Sequence, residues 1–241
     1  MISVLMLMAF PAAIQQARPD PTRQVIVVTS KRWRSQRAIL HRFRRVDGRW
    51  VQVGHRARAW LGVNGFAASK NRMQNSGQTP AGVFSLPQAF GAFRKGGTRL
   101  PYHRITAHSF WPYDPRDPRT YNVLQTIRRP HARWRNDGEW SERLIDYGRQ
   151  YRFAVVIGYN LPKAVYRDKE TGERRTYTPV RTDKGGGIFL HVADGRPTAG
   201  CVAVGAVQMR KTMLWLDPEK NPRIVMGPRS QTRHWRAHVE R

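Results

Sequence analysis

The first third of the chain alternates short apolar runs with turn signals, which restricts it to a fold built mainly from antiparallel strands. Residues 24–29 read Gln-Val-Ile-Val-Val-Thr and are predicted to form a buried strand, because β-branched side chains favour the pleated sheet. Residues 39–53 are predicted to form a hairpin that turns at Asp47-Gly48, since Asp-Gly is a strong signal for a tight turn. Sequential hairpins of this kind indicate a β-rich domain.

The rest of the chain adds strands and only a few short helices. Further strands are predicted at 57–63, 81–86, 153–159, 188–190 and 224–226. Trp140, Leu144 and Tyr147 lie at helical spacing before Gly148 and predict one short helix. A second helix is predicted at 206–216, where apolar residues share one face. The fold class is therefore predicted to be mainly β, with a minor α content.

Composition restricts the partners more than the fold. The 241 residues include 43 Lys and Arg against 16 Asp and Glu, which gives a formal net charge of +27. A surface of this charge favours a polyanionic partner. The single cysteine, Cys201, excludes a disulfide scaffold and a Cys-rich metal site.

The first segment of the chain predicts export. Residues 1–14 carry no charge, and their length fits the apolar region of a secretory signal better than a membrane span. Cleavage is predicted after Ala17, which would remove residues 1–17 and place the protein in the periplasm or on the wall side of the cytoplasmic membrane. No Lys or Arg precedes the apolar run, and a short buried strand or helix is the alternative.

The densest chemical signal lies in residues 188–204. A predicted strand delivers His191, a tight segment turns the chain back, and Cys201 follows Gly200. A neighbouring imidazole can convert a thiol into the reactive thiolate. The backbone amides of Ala199, Gly200 and Cys201 can form an oxyanion hole, so the segment holds the groups for acyl transfer through a thioester. The alternative is structural, because a lone Cys between small apolar residues is commonly part of a core.

Several stretches also carry a family resemblance. The most specific pieces are Ile188-Phe189-Leu190-His191 and Pro197-Thr198-Ala199-Gly200-Cys201-Val202-Ala203-Val204. Weaker pieces follow in the expected order, namely Thr79-Pro80-Ala81-Gly82-Val83-Phe84, Tyr121-Asn122 and Val156-Ile157-Gly158-Tyr159-Asn160. Together they resemble L,D-transpeptidases, in a branch distantly related to the common YkuD type. The resemblance covers residues 24–226, leaves 227–241 as a basic tail, and implies a YkuD-like β-sandwich or barrel domain.

What the resemblance implies is a bacterial peptidoglycan enzyme. Cys201 would attack a peptide carbonyl of a donor stem to form a thioester, with His191 as general base and acid. The side-chain amine of a diamino acid on a second stem would then attack, whereas attack by water would make the protein an L,D-carboxypeptidase. The implied partners are peptide stems and the anionic envelope, with no cofactor, metal or nucleic acid and a monomeric state. The implied substrate contacts are Arg196, Thr198, Asn160, Tyr159, Asn122 and Trp111.

The chain departs from the common YkuD motif at two positions beside the cysteine. That motif has a His two residues before the Cys and an Arg two residues after it, where this chain has Ala199 and Ala203. An arginine side chain can hold a carboxylate or carbonyl of the substrate with two parallel hydrogen bonds, so the missing Arg puts substrate positioning in question. Arg196 is the arginine nearest in sequence that could replace it. The candidate acceptors for the second ring nitrogen of His191 are the Val192 carbonyl, Asp194 and Thr198.

Other classes of function are less well supported. Basic and aromatic residues interleave at 31–34 and 131–135, as they do on some nucleic-acid surfaces. No helix-turn-helix, zinc-finger or RNP signature accompanies them, so non-catalytic binding of a polyanion or nucleic acid ranks as an alternative behind L,D-carboxypeptidase activity. His234 and His238 lack the glutamate of a metalloprotease motif, and no metal site is predicted.

One charged segment is a candidate flap. Residues 161–187 end in Gly185-Gly186-Gly187 and lie directly before the His191 strand. They are predicted to border the substrate cleft and to be more mobile than the core, with a surface insertion remote from the chemistry as the alternative.

Overall fold

The computed structural model describes residues 21–94, 96–127, 134–135 and 137–239. The strands in chain order are β1 Gln24–Ser30, β2 Arg37–Val46, β3 Arg49–Gln52, β4 Ala57–Trp60, β5 Phe66–Ala68, β6 Thr79–Ser85, β7 Ala89–Gly91, β8 Tyr102–Arg104, β9 Ser109–Pro112, β10 Gln125–Thr126, β11 Ser141–Arg143, β12 Phe153–Val156, β13 Val165–Arg167, β14 Arg174–Thr176, β15 Phe189–Val192, β16 Val202–Val204 and β17 Arg223–Pro228. The α-helices are α1 Ala206–Trp215, α2 Arg229–Thr232 and α3 Trp235–Val239, and single 3-10 turns lie at Leu144–Tyr147, Gln150–Arg152, Thr182–Lys184 and Pro218–Lys220. The predicted mainly β fold is confirmed.

Within the described ranges, twelve strands form one mixed sheet, in the order β5-β6-β17-β1-β2-β4-β16-β15-β12-β7-β8, with β3 attached to β2. The predicted hairpin is β2 and β3, which pair antiparallel. Its turn residues Asp47 and Gly48 both have positive φ, as the twist of a two-residue hairpin turn requires. Two smaller sheets, β10-β9-β11 and β13-β14, are separate from the large sheet in the described residues.

Strand β15 separates two apolar cores, because successive side chains of a strand point to opposite faces. Leu190 and Val192 enter the larger core, whereas Phe189 joins a second core that contains Cys201. His191 lies two residues from Phe189 and therefore on the same face. The parallel neighbour β16 sets Ala203 opposite His191, so the sheet brings the cysteine loop beside the imidazole strand.

The prediction of a helix that begins around Trp140 is wrong. Ser141–Arg143 pairs with β9, setting Ser141 opposite Pro112, and only Leu144–Tyr147 forms a helical turn. Gly148 ends that turn with a φ of +41°. Strand pairing with a distant segment has overridden the helical spacing of the apolar residues.

The residues predicted as a basic tail are part of the fold as far as residue 239. β17 extends to Pro228, and α2 and α3 follow it. Trp235 is buried, with its ring centroid 4.8 Å from that of Phe43 and 5.1 Å from that of Trp50. The predicted signal at 1–17 and residues 131–133 of the second basic–aromatic cluster lie outside the described residues. In the part of the chain that is described, no helix has the length and hydropathy to cross a membrane.

Candidate active site

A cavity of about 770 Å³ opens on the Cys201 side of β15. Both Cys201 and His191 line it, together with the turn that precedes β16 and the three glycines at 185–187. The two groups predicted for catalysis are therefore on the wall of one cavity. A thiol and an imidazole are the nucleophile and the base that acyl transfer through a thioester requires.

The Cys201 thiol is held in place by backbone groups. The amide N–H of Phe189 donates to Sγ at 3.3 Å, and the thiol donates to the Gly187 carbonyl at 3.4 Å. Burial first, and then the charge of Glu142, raises the pKa of the thiol to about 12, against the lowering effects of the Phe189 N–H and Arg72. The resting side chain is therefore a thiol, and its proton has to leave during the reaction.

The His191 imidazole is buried and oriented by a backbone carbonyl. Its Nδ1 lies 2.9 Å from the Val192 carbonyl oxygen, which can only accept, so Nδ1 carries the proton and Nε2 keeps its lone pair. Burial lowers the pKa of the ring, which favours this neutral form. Of the proposed acceptors, Asp194 instead pairs with Arg196 at 2.8 Å. The geometry thus leaves a neutral base directed by Val192.

The turn before β16 uses one of its amides internally. The Thr198 hydroxyl donates to the Cys201 carbonyl at 2.7 Å and accepts from the Gly200 N–H at 3.1 Å. The Gly200 amide is therefore engaged, and the oxyanion donors that remain from the sequence prediction are the amides of Ala199 and Cys201. Thr198 lines the cavity and also fixes the shape of the turn.

Four predicted substrate contacts lie behind the cavity rather than in it. The side-chain oxygen of Asn122 accepts from Trp111 Nε1 at 2.8 Å and from the Gly187 N–H at 2.9 Å. Its amide nitrogen donates to the carbonyls of Tyr159, at 3.1 Å, and Asn160, at 2.7 Å. Their prediction as substrate contacts is therefore corrected to a supporting role. They hold Gly187, whose carbonyl accepts the hydrogen bond from the Cys201 thiol.

A buried arginine that the sequence prediction missed lines the same cavity. Arg72 is 3% exposed, and it donates from Nε to the Gln78 carbonyl at 2.7 Å and from Nη1 to the Lys184 carbonyl at 2.6 Å. No ion pair with a carboxylate is found for it within the described residues. Arg196, the residue nearest in sequence, lines the cavity too, but its side chain is 75% exposed and paired with Asp194.

A carboxylate and tyrosines make up another part of the wall, and the sequence prediction missed these as well. Glu142 accepts a 2.5 Å hydrogen bond from the hydroxyl of Tyr151, whose ring meets that of His191 edge to face at 5.5 Å. Tyr113 and Tyr147 also line the cavity. Burial raises the pKa of Glu142 to about 7. A carboxylate placed here influences both the thiol and any charged group of a ligand.

Residues 23–225 match the L,D-transpeptidase catalytic domain named YkuD. The chain belongs to the YkuD family. Two structures of the helical cell shape determining protein Pgp2 from Campylobacter jejuni are similar to this YkuD domain, one at 15% identity with a TM-score of 0.40 and a point mutant at 16% with 0.39. Each similarity covers 87% of this chain and 49% or 48% of the other, so the chain spans about half the length of those proteins. Among curated proteins, none matches the chain.

The candidate flap of this YkuD domain borders the cavity only at its glycine end. Residues 185–187 line the cavity, whereas the β13–β14 hairpin contacts Gln125 of β10 and Trp134. Gln125 exchanges two hydrogen bonds with the backbone of Arg174, at 2.6 and 2.9 Å, and Trp134 Nε1 donates to Glu173 at 3.3 Å. Within the described ranges, no group of three or more His, Cys, Asp or Glu side chains is placed to hold a metal ion.

Proposed function

We propose that this domain is a peptidoglycan L,D-transpeptidase that works through a thioester on Cys201. The observation that carries the proposal is the Nδ1 hydrogen bond from His191 to the Val192 carbonyl, because it leaves Nε2 as a base on the wall of the cavity that holds the thiol. Family membership supports the reaction class. The substrate is external to the cytoplasm, so export through residues 1–17 and action as a monomer in the periplasm belong to the proposal.

In the first half-reaction, the sulfur attacks a carbonyl of the donor stem. Because burial holds the thiol pKa near 12, the proton passes to Nε2 of His191 as the C–S bond forms. The amides of Ala199 and Cys201 stabilise the oxyanion. The imidazolium then protonates the leaving amine of the terminal D-residue, and the thioester remains.

In the second half-reaction, the side-chain amine of a diamino acid in another stem attacks the thioester. The C–N bond forms, the C–S bond breaks, and His191 moves the amine proton to the departing sulfur. Attack by water on the same thioester gives L,D-carboxypeptidase activity, which is the alternative outcome of this chemistry.

Arg72 is proposed to take the place of the arginine that the common motif has where this chain has Ala203. Its guanidinium is buried, lines the cavity and touches the turn that carries Cys201. A guanidinium fork can hold a carboxylate or carbonyl of a stem in a fixed orientation. The net charge of +27 would add weaker, salt-dependent attraction to the anionic envelope.

Mass spectrometry of muropeptides after incubation with the purified protein tests the proposal. The wild-type protein is expected to form cross-links or to trim stems, and the Cys201→Ala and His191→Ala proteins are each expected to lose about as much activity as the double variant, since the two groups act as one unit. His108→Ala, which alters an exposed histidine, is the control. Full activity in a stably folded Cys201→Ala protein would contradict the thioester mechanism.

A further inference from the structure

We propose that Glu142 and the tyrosines around it form a subsite for an alkylammonium group, which in a peptide stem is the side-chain amine of its diamino acid. The inference rests on the function proposed above and deepens it. It concerns a residue that lies outside every motif on which the family resemblance depends.

Strand β11 points Glu142 into the cavity. Its neighbour Ser141 is buried, and Arg143 turns outward to pair with Asp146 at 2.8 Å. Pairing with β9 sets Glu142 opposite Trp111 and fixes the backbone at this point. The carboxylate is therefore held on a strand, which positions a binding group more rigidly than a loop does.

One of the two carboxylate oxygens of Glu142 is already hydrogen-bonded within the protein. Oε2 accepts from the hydroxyl of Tyr151, which is 2% exposed, and no hydrogen bond to Oε1 is found within the described residues. No Lys, Arg or His of the described chain lies within ion-pair distance of Glu142. In a chain with 43 Lys and Arg, a cavity carboxylate without such a partner is suited to a cation that the ligand brings.

The surrounding rings favour the same kind of ligand. Tyr113, Tyr147 and Tyr151 line the cavity beside Glu142, and the last two stack with centroids 4.8 Å apart. Aromatic faces attract ammonium groups, most strongly where water is excluded. Arg72 lines the same cavity, so the cavity presents both a carboxylate and a guanidinium to a diamino acid, which carries an amine and a carboxylate of its own.

An ammonium group bound at this subsite would also lower the pKa of the Cys201 thiol. The negative charge of Glu142 is one cause of the raised thiol pKa of Cys201. A bound cation cancels that charge and leaves the lowering effect of Arg72 in place. Occupation of the subsite would therefore ease loss of the thiol proton when a stem is bound.

Calorimetry with two synthetic stem peptides tests the subsite. One peptide has the free side-chain amine and the other has it acetylated, and both are titrated into the Cys201→Ala protein so that no turnover occurs. Acetylation is expected to weaken binding tenfold or more when Glu142 is present, and less than twofold in the Cys201→Ala, Glu142→Gln protein. Glu139→Gln, which alters an exposed carboxylate at the rim of the same cavity, is the matched control and is expected to keep the full acetylation effect.

The outcomes separate the subsite from the proposed function. The subsite would be overturned if the Cys201→Ala protein bound the two peptides equally, or if the added Glu142→Gln change weakened the binding of both peptides equally. Either result would still retain peptide stems as ligands. Failure to bind either peptide would overturn the substrate class and the subsite with it. With Cys201 intact, Glu142→Gln slows thioester formation tenfold or more if the amine belongs to the donor stem. If the amine belongs to the acceptor, thioester formation is not slowed and the ratio of transfer to hydrolysis falls tenfold or more.

Discussion

The guanidinium of Arg72 lies so close to Gly200 that a Cβ atom there would be 3.0 Å from Nη2. A Cβ atom at Gly185 would come still closer to Nη1 of the same guanidinium. Both glycines have positive φ, +150° at Gly200 and +80° at Gly185. The cation is thus enclosed between the end of the candidate flap and the residue before Cys201. Two glycines are required here because side chains would displace the arginine.

Gly200→Ala should disturb both the arginine and the cysteine turn. Its Cβ would also come 3.1 Å from the Gln78 carbonyl, a backbone atom that cannot move away cheaply. We expect the free energy of unfolding to fall by about 2 kcal/mol and turnover to fall more than tenfold. Denaturant titration and muropeptide assays measure these effects. Gly205→Ala is the control, since no atom lies within 4 Å of a Cβ there, and equal behaviour of the two variants would contradict this account.

Asn122→Asp should cost stability although the side chain keeps its size. Aspartate tolerates the φ of +60° at this position, but a carboxylate cannot donate to the carbonyls of Tyr159 and Asn160. We expect a loss of about 2–4 kcal/mol by denaturant unfolding at pH 7. Asn75→Asp changes an exposed residue with a φ of +58° and should alter stability by less than about 0.5 kcal/mol. A stable Asn122→Asp protein would show that this network does not hold Gly187.

Alkylation of Cys201 in the free protein should be slow at neutral pH. Burial and the charge of Glu142 raise the thiol pKa to about 12, against about 8.5 for an unperturbed thiol. The rate with iodoacetamide at pH 7 is therefore expected to be at least tenfold below that of a free thiol and to keep rising beyond pH 9. Glu142→Gln removes one of the two causes and should speed the reaction severalfold. Fast alkylation with a plateau below pH 8 would indicate a preformed thiolate instead.

Glu142 should make stability depend on pH in a direction opposite to that of most carboxylates. Its folded-state pKa of about 7 exceeds the usual 4.5, so its contribution is complete below pH 4.5 and is lost as the pH rises through 7. Glu142→Gln stays neutral and is expected to be more stable than the wild type at pH 8, by on the order of 2 kcal/mol, with no difference near pH 4. Thermal unfolding across this range measures the difference.

The control for this titration is Gly205→Ala, which changes no titratable group, so its difference from wild type should not change with pH. The lowered pKa of His191 destabilises the fold as the pH falls below about 6.5, but it acts in all three proteins and cancels in the comparison. A constant difference between wild type and Glu142→Gln would show that the carboxyl titrates normally.

Local sequence determined the elements whose signals lie within a few residues. The β-branched run in β1, the turn at Asp47-Gly48 and the strand that ends near His191 were all predictable, because strand preference and turn geometry depend on neighbouring residues. The short segment from His191 to Cys201 belongs with them, since two neighbouring strands joined by one connection bring both groups to one cavity.

Tertiary structure alone decided the rest of the cavity. Arg72 reaches Lys184 across 112 positions of sequence. Glu142 lines the same cavity as Cys201 only because β11 pairs with β9 in place of the helix predicted around Trp140. Trp111 and Asn122 turned inward to hold Gly187 instead of substrate. Burial and charge at a site come from groups that long-range strand pairing assembles, so the raised pKa values of Cys201 and Glu142 have no signature in the residues beside them.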